Sequence, residues 1–516
     1  MNQIDRWHVY EAPLEAQSAH DEPLWDVDPV VTFRSPDGTE HAVDAFWDGG
    51  RTWRVRFCPD RPGRWTWQAA CPGDPGIHGA RGEFECVEGG DENPLYRRGP
   101  VRLSHDGRHF VTEDGDPFFW LADTAWNGAI RSTQEGWERY LERRREQGFT
   151  VIQFVTTQWR AAESDPDGRT AYIQNDRLAV NPAWFQRMDA RVDAVNAHGL
   201  VAAPVVLWAC TETDPGRELG LRNAVRLALY IVARWGAHQV MWILAGDGGY
   251  LEETRDRWLA IGRAVFGQRH DRLVTLHHGG QLWIADEIRK EPWFDFIGYQ
   301  SGHGDSEKHL RWLIEGPPTK AWREEPVCPI LNMEPNYEAH PSYHSGQKFT
   351  PALVRRAAYW SLMLTPTAGV TYGHNHIWPW ATEPELPKGH EGLGTVQPWH
   401  TAVDAPGALS MSTLRTFFES LPWWKLRPAQ SLLAEQPGTD DPTRFVSVAA
   451  TEDRAVSIAY TPAGESIRLR TEELEGATVE WFDPRTGDRS EAAAPAGDVT
   501  EFRPPAEGDW VLVVHR

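Results

Sequence analysis

The sequence predicts a (β/α)8 barrel carried between two all-β domains, and three observations predict it. Between about residue 95 and residue 425, apolar runs of strand length alternate with amphipathic helical stretches in eight successive units. On either side the pattern changes to short segments that alternate apolar and polar with period two, broken by turn residues. The chain has 516 residues, 41% of them hydrophobic, enough for a large core plus accessory domains.

Taken in order, residues 1–92 read as a small antiparallel β-sandwich. "TWRVRF" and "RWTWQA" alternate with period two, and "DG", "GG" and "RPG" are turn chemistry. Residues 93–426 form the predicted barrel, with strands at 117–126, 149–157, 200–210, 240–247, 272–278, 294–303, 326–335 and 368–375. Helical stretches at 133–148, 223–238 and 350–366 lie between strands, and 407–421 follows the last one. Residues 427–516 return to short strands ("RFVSVAA", "AVSIAY", "SIRLR", "ATVEWF", "DWVLVVH") and predict a second β-sandwich. No repeat or low-complexity linker separates the parts, so they are expected to pack together.

A formal charge of −22 with no basic stripe excludes nucleic acid as a partner. No apolar run is long enough to cross a bilayer, and the start "MNQIDRWHVYEAPLEAQ" lacks a secretory pattern, so a cytoplasmic protein without a membrane partner is expected. Five scattered cysteines without metal-ligand spacing indicate neither a disulfide framework nor a zinc site, and no cofactor is expected. Whether the chain forms a homo-oligomer is left open. The 27 tryptophans are the compositional signal, because flat rings stack on the C–H faces of sugars. Trp65, Trp67, Trp242 and Trp360 are assigned to the core. Trp47, Trp53 and Trp510 are the glycan-contact candidates of the terminal domains, where packing is the favoured role.

In such a barrel the active site is built at the C-terminal ends of the strands. "MWILAGDGGY" (241–250) ends a buried strand in a lone acid, Asp247, set among glycines. The other strand ends contribute Asp123, Trp126, Gln158, Trp159, Arg160, Trp208, His277, Tyr299, His303, Glu334, Tyr337, Glu338, His374, Asn375 and, just beyond, Trp378. Asp247 and Glu334 end strands four and seven, on roughly opposite sides of the ring, so they can flank one glycosidic bond. Asp247 would start protonated, its pKa raised by a dry setting and by the charge of Glu334. Glu334 would be ionised and held by Arg160, His277 or Tyr299. Asp123 and Trp126, with His374, Asn375 and Trp378, would shape the sugar pocket. The ordinary alternatives are a turn or cap role for Asp247 and an ion pair with a barrel arginine for Glu334. A metal-dependent hydrolase is a competing reading, with "HHGG" (277–280) and "HNH" (374–376) as ligands. A non-catalytic carbohydrate-binding protein is a third, against which the presence of both acids argues.

"VRLSHDGRHFVTEDGDPFFWLADTAWNG", "YLERRREQGFTVIQFVTTQW", "WILAGD" and "ILNMEPNYE" together resemble the apiosidase-like (β/α)8 glycoside hydrolases, family 140 and its relatives. The first ninety residues resemble the β-sandwich that often precedes such barrels, and the last ninety the small β-domain of collagen-binding type that often follows. The resemblance implies that Asp247, in a "WxxGGD"-like motif, is the general acid/base and that Glu334, in an "EPxYE"-like motif, is the nucleophile of a retaining glycosidase. It also implies a furanoside substrate of apiose or arabinose type, or a related oligosaccharide. One departure is Ala245, where the motif usually has glycine. With no leader in view, exo action on imported oligosaccharides is expected.

Overall fold

The computed structural model describes residues 2–90, 92–267, 271–470, 476–494 and 496–516. Eight parallel strands close into a barrel in sequence order: β1 (Trp120–Thr124), β2 (Val151–Val155), β3 (Val201–Trp208), β4 (Trp242–Gly248), β5 (Val274–His278), β6 (Ile297–Tyr299), β7 (Ile330–Asn332) and β8 (Gly369–Tyr372). Helices Gln134–Glu146, Leu221–Trp235, Pro351–Met363 and Pro406–Glu419 lie where the sequence predicts them. Almost every strand residue is buried, because helices cover the outside and side chains fill the inside.

Most strands are shorter than their apolar runs. The run at 294–303 pairs only over Ile297–Tyr299, and the residues beyond it turn into the loop that rims the barrel. The run at 117–126 is divided. Pro117–Phe118 belongs to a separate three-stranded sheet with Val101–Leu103 and Phe110–Thr112. That sheet closes the lower end of the barrel: the Phe110 ring lies 6.2 Å from Trp120, which begins β1, and 5.2 Å from Phe296, just before β6.

The N-terminal domain stacks a five-stranded sheet against a three-stranded one around Tyr10, Phe33, Phe57, Trp65 and Phe84. The prediction of a purely antiparallel sandwich needs one correction. Asn2–Asp5 pairs parallel to Arg81–Val87 at the sheet edge. Short hairpins impose antiparallel pairing, and no hairpin joins these two segments, so their direction is free. The C-terminal domain has a six-stranded sheet and a two-stranded one. Trp53 and Trp510 are buried in these terminal domains, whereas Trp47 is half-buried. No helix among the described residues is long and apolar enough to cross a membrane.

Buried ion pairs tie the parts together. Arg56 of the N-terminal sandwich donates to both oxygens of Asp189 (3.1 and 2.8 Å), which also takes Arg234 at 2.7 Å through each oxygen. At the other interface Arg355 grips Asp509 through two contacts of 2.8 Å. Removing one partner would leave uncompensated buried charge. Asp189→Ala is therefore expected to lower unfolding free energy by about 3–5 kcal/mol in chemical denaturation. Breaking the exposed pair Arg444–Glu465 is expected to cost less than about 1 kcal/mol. Burial would raise the Asp189 carboxyl, but its arginine hydrogen bonds win and hold it down at about 2. Its contribution is then present above the unfolded carboxylate range, near pH 4, and is lost as pH falls through about 2.

Candidate active site

The sparse turn around Asp247 has a steric cause. A Cβ on Gly246 would sit 2.5 Å from the Trp208 ring, and one on Gly248 would sit 2.6 Å from the Tyr250 ring. Between these glycines Asp247 adopts φ 51°, a left-handed conformation that Asp tolerates better than most residues. The pairing of β4 with β5 slips on both sides: Gly246 lies opposite His277 and Gly248 opposite His278. Asp247 is the extra residue of a bulge, which turns its side chain out of the ladder and into the bowl. Ala245 is fully buried within the strand before that turn.

Glu334 lies two residues beyond β7 and is almost buried, at 7% exposure. Its partners are imidazoles, not an arginine. His303 Nε2 is 2.9 Å from Oε1 and His277 Nε2 is 3.1 Å from Oε2. The Tyr337 N–H points at Nδ1 of His303 (3.4 Å), so the ring proton belongs on Nε2, facing the carboxylate. Burial alone would push the Glu334 carboxyl up, but the close His277 imidazole and the hydrogen bond with His303 outweigh it and hold the group well below the usual carboxylate range. Asp247 moves the other way. Burial first, and then the charge of Glu334, raise its carboxyl above the ordinary value.

Both acids line one cavity of about 330 Å³. Its walls are Trp126, Trp159, Trp208 and Trp378, with Arg160, His303 and Tyr337 between them. The rings brace one another: Trp159 and Trp126 lie 4.5 and 5.2 Å from Trp208, and the Trp126 Nε1–H donates to the Tyr337 hydroxyl at 3.1 Å. Size, concavity and aromatic lining are those of a small-molecule site.

Seven of the predicted residues do not line the cavity, and one of them, His277, is 1% exposed and meets it only through Glu334. Asp123 is wholly buried on the outer side of β1, where Tyr140 and Arg144 each donate to it at 2.6 Å, so it holds a helix to the barrel and does not line the cavity. Tyr299 likewise faces outward, its ring beside Trp312, and does not hold Glu334. Glu338 accepts from the Tyr372 hydroxyl (2.6 Å) and the Gly407 N–H (2.9 Å), behind the site. Gln158 staples the following loop through Ala171 and Tyr172. His374 accepts the His376 N–H on Nδ1, and Asn375 is buried beside it. Arg160 does line the cavity but stands beside Asp247, not Glu334, with Nη2 3.6 Å from Oδ2. The imidazoles of "HHGG" and "HNH" do not converge, and no group of three or more His, Cys, Asp or Glu among the described residues is arranged to hold a metal ion.

Several lining residues were missed, among them Gln300, His340, Tyr343, His390 and Leu393. They sit on the loops after β6, β7 and β8. The aromatic and histidine richness of "YEAHPSYH" (337–344) was the available signal, since loops above a rigid barrel carry its chemistry.

Similarity to known families runs along most of the chain. Residues 104–425 match the family described as "Apiosidase-like, catalytic domain". The chain belongs to the apiosidase-like family. Residues 3–72 match a domain of unknown function, DUF5060, and residues 427–515 match the "Putative collagen-binding domain of a collagenase". No curated protein matches the sequence. A solved glycoside hydrolase superposes with a TM-score of 0.72 at 22% identity, covering 82% of this chain and 98% of its own. A glycoside hydrolase family 5 structure from Bacteroides vulgatus ATCC 8482 gives 0.72 at 21% identity, covering 82% and 94%. Another structure from the same strain, described as a "putative glycoside hydrolase", gives 0.71 at 17% identity and covers 100% of both chains. At these identities the likeness is one of fold, and it extends over all three parts of this apiosidase-like chain.

The bulge makes a direct prediction. Gly246→Ala places a methyl group against Trp208, so stability should fall by about 1–3 kcal/mol in denaturation and the near-ultraviolet tryptophan signal should change. An unchanged melting curve and spectrum would contradict the packing described.

Proposed function

We propose that the chain is a retaining glycosidase that hydrolyses a furanoside of apiose or arabinose type, or a related oligosaccharide, with Asp247 as acid/base and Glu334 as nucleophile. The observation that carries this reading is the pair itself. Two carboxyls from β4 and the β7 loop line one aromatic cavity, and their surroundings favour opposite protonation states. Retention and the furanoside class rest on the apiosidase-like family.

In the first step a Glu334 oxygen attacks the anomeric carbon while the bond to the leaving oxygen breaks, and the Asp247 proton passes to that oxygen. In the second, water attacks the same carbon, its proton goes to Asp247, and the ester bond breaks to restore the Glu334 carboxylate. Trp126, Trp208 and Trp378 supply flat faces for the sugar. Residues 1–92 and 427–516 serve in this reading to pack against the barrel.

Release of nitrophenol from a panel of aryl furanosides and pyranosides tests the proposal. One furanoside should be cleaved, and Asp247→Ala and Glu334→Ala should each lose on the order of 100-fold or more. Azide should rescue both, giving a glycosyl azide of retained configuration from Asp247→Ala and of inverted configuration from Glu334→Ala. Mutants as active as the parent would overturn the assignment. The pH profile of kcat/KM should be broad. Glu334 stays ionised to below the usual carboxylate range near pH 4, which moves the acid limb down. Activity is lost at high pH as Asp247 deprotonates, at a limb above the ordinary aspartate value.

A further inference from the structure

Arg160, in the loop after β2, is fixed from several directions. Its backbone N–H and Nη1 reach the two oxygens of Asp214 at 3.2 and 3.1 Å. Asp214 has no exposed surface and also takes the Thr211 N–H at 2.6 Å and hydroxyl at 3.1 Å. The guanidinium lies 4.9 Å from the Trp159 ring centre and 5.8 Å from that of Trp208. Nη2 meets His390 Nε2 at 3.2 Å, from the loop after β8. Its distance to Asp247 Oδ2 is 3.6 Å, so Arg160 acts on that carboxyl through charge and not through a hydrogen bond.

The charged and titratable groups facing Asp247 are few. They are Glu334 beyond β7, His277 on β5, Arg160, Cys210 and Asp214 in the loop after β3, Tyr250 beyond its own strand, and Tyr343 at the rim. Burial and then Glu334 favour the protonated form of Asp247, whereas His277, then Arg160 and then a hydrogen bond with Cys210 favour the ionised form. The acid/base reading above gives Asp247 two opposite tasks, proton donor first and proton acceptor second. Between them Glu334 becomes a neutral ester, so its charge no longer favours protonation, while burial still opposes the ionised form and Arg160 and His277 still favour it.

We propose that Arg160 is a positioning residue that holds Asp247 ionised in the second half of the cycle, so that it can take the proton of the attacking water. The inference rests on the acid/base reading of Asp247. The ties to Asp214 and the tryptophan stack keep the guanidinium from closing onto the carboxylate, which leaves Asp247 free to carry its proton in the first half.

Carbon-13 titration of the Asp247 carboxyl tests this without any substrate. The full chain is labelled at the aspartate carboxyl carbons, and the signal is assigned by its loss in Asp247→Asn. Glu334→Gln removes the nucleophile's charge as the ester does, and the Asp247 midpoint should fall. Arg160→Met should raise the midpoint by about one unit or more, in the parent and in Glu334→Gln alike. Arg160→Lys should follow the parent, and Arg160→Gln provides a second charge removal should the methionine variant fold poorly. With a substrate in hand, Arg160→Met should lower kcat and KM together, because slower deglycosylation accumulates the glycosyl-enzyme. A midpoint unmoved or lowered by both charge removals would overturn the proposal. A midpoint indifferent to Glu334→Gln would instead overturn the pairing of the two acids.

Discussion

The cavity depends on one constraint: a carboxylate must stay charged where little water can reach it. Glu334 meets this through His277 and His303, whose nitrogens stand 3.1 and 2.9 Å from its two oxygens. A buried carboxylate without such partners would take up a proton. Each imidazole comes from a neighbouring strand or strand end, so the closed ring of β5, β6 and β7 sets their spacing. The charge they maintain is felt by Asp247, and the two groups become unlike although both are carboxyls in one pocket.

The surrounding structure keeps that electrostatic arrangement rigid. Trp208 fills the space that Gly246 leaves open, braces Trp126 and Trp159, and lies under the Arg160 guanidinium. One ring therefore connects the bulge that aims Asp247, the aromatic wall and the cation beside the acid. Outside the bowl, Asp123 with Arg144 and Glu338 with Tyr372 secure helices and loops to the barrel. These buried polar pairs hold the strand ends in place.

Much of the fold was legible because parallel strands buried on both faces read as continuous apolar runs, and eight of them alternate with helices. The same property hid their ends. Apolar residues flank the ladder, as Phe294 and Phe296 do before Ile297 and Met333 does after Asn332, so hydrophobicity alone does not mark where pairing begins and ends. The acids at the strand ends were legible as positions but not as directions. Asp123 and Asp247 look alike in sequence, yet one faces the helix layer and the other the cavity, because a bulge between two glycines turns only the second. His340, Tyr343 and His390 were hard to place for another reason: the composition of 337–344 hints at a site, but long loops bring these residues in, and the loop paths depend on contacts distant in sequence.

The central claim is that Glu334 forms a bond to the sugar. Incubation with a 2-fluoro glycoside that carries a good leaving group, followed by mass spectrometry of the digested protein, tests it most directly. The account predicts one added glycosyl mass on the peptide containing Glu334, and none on the Glu334→Gln variant. Inactivation with the label on any other residue would contradict it.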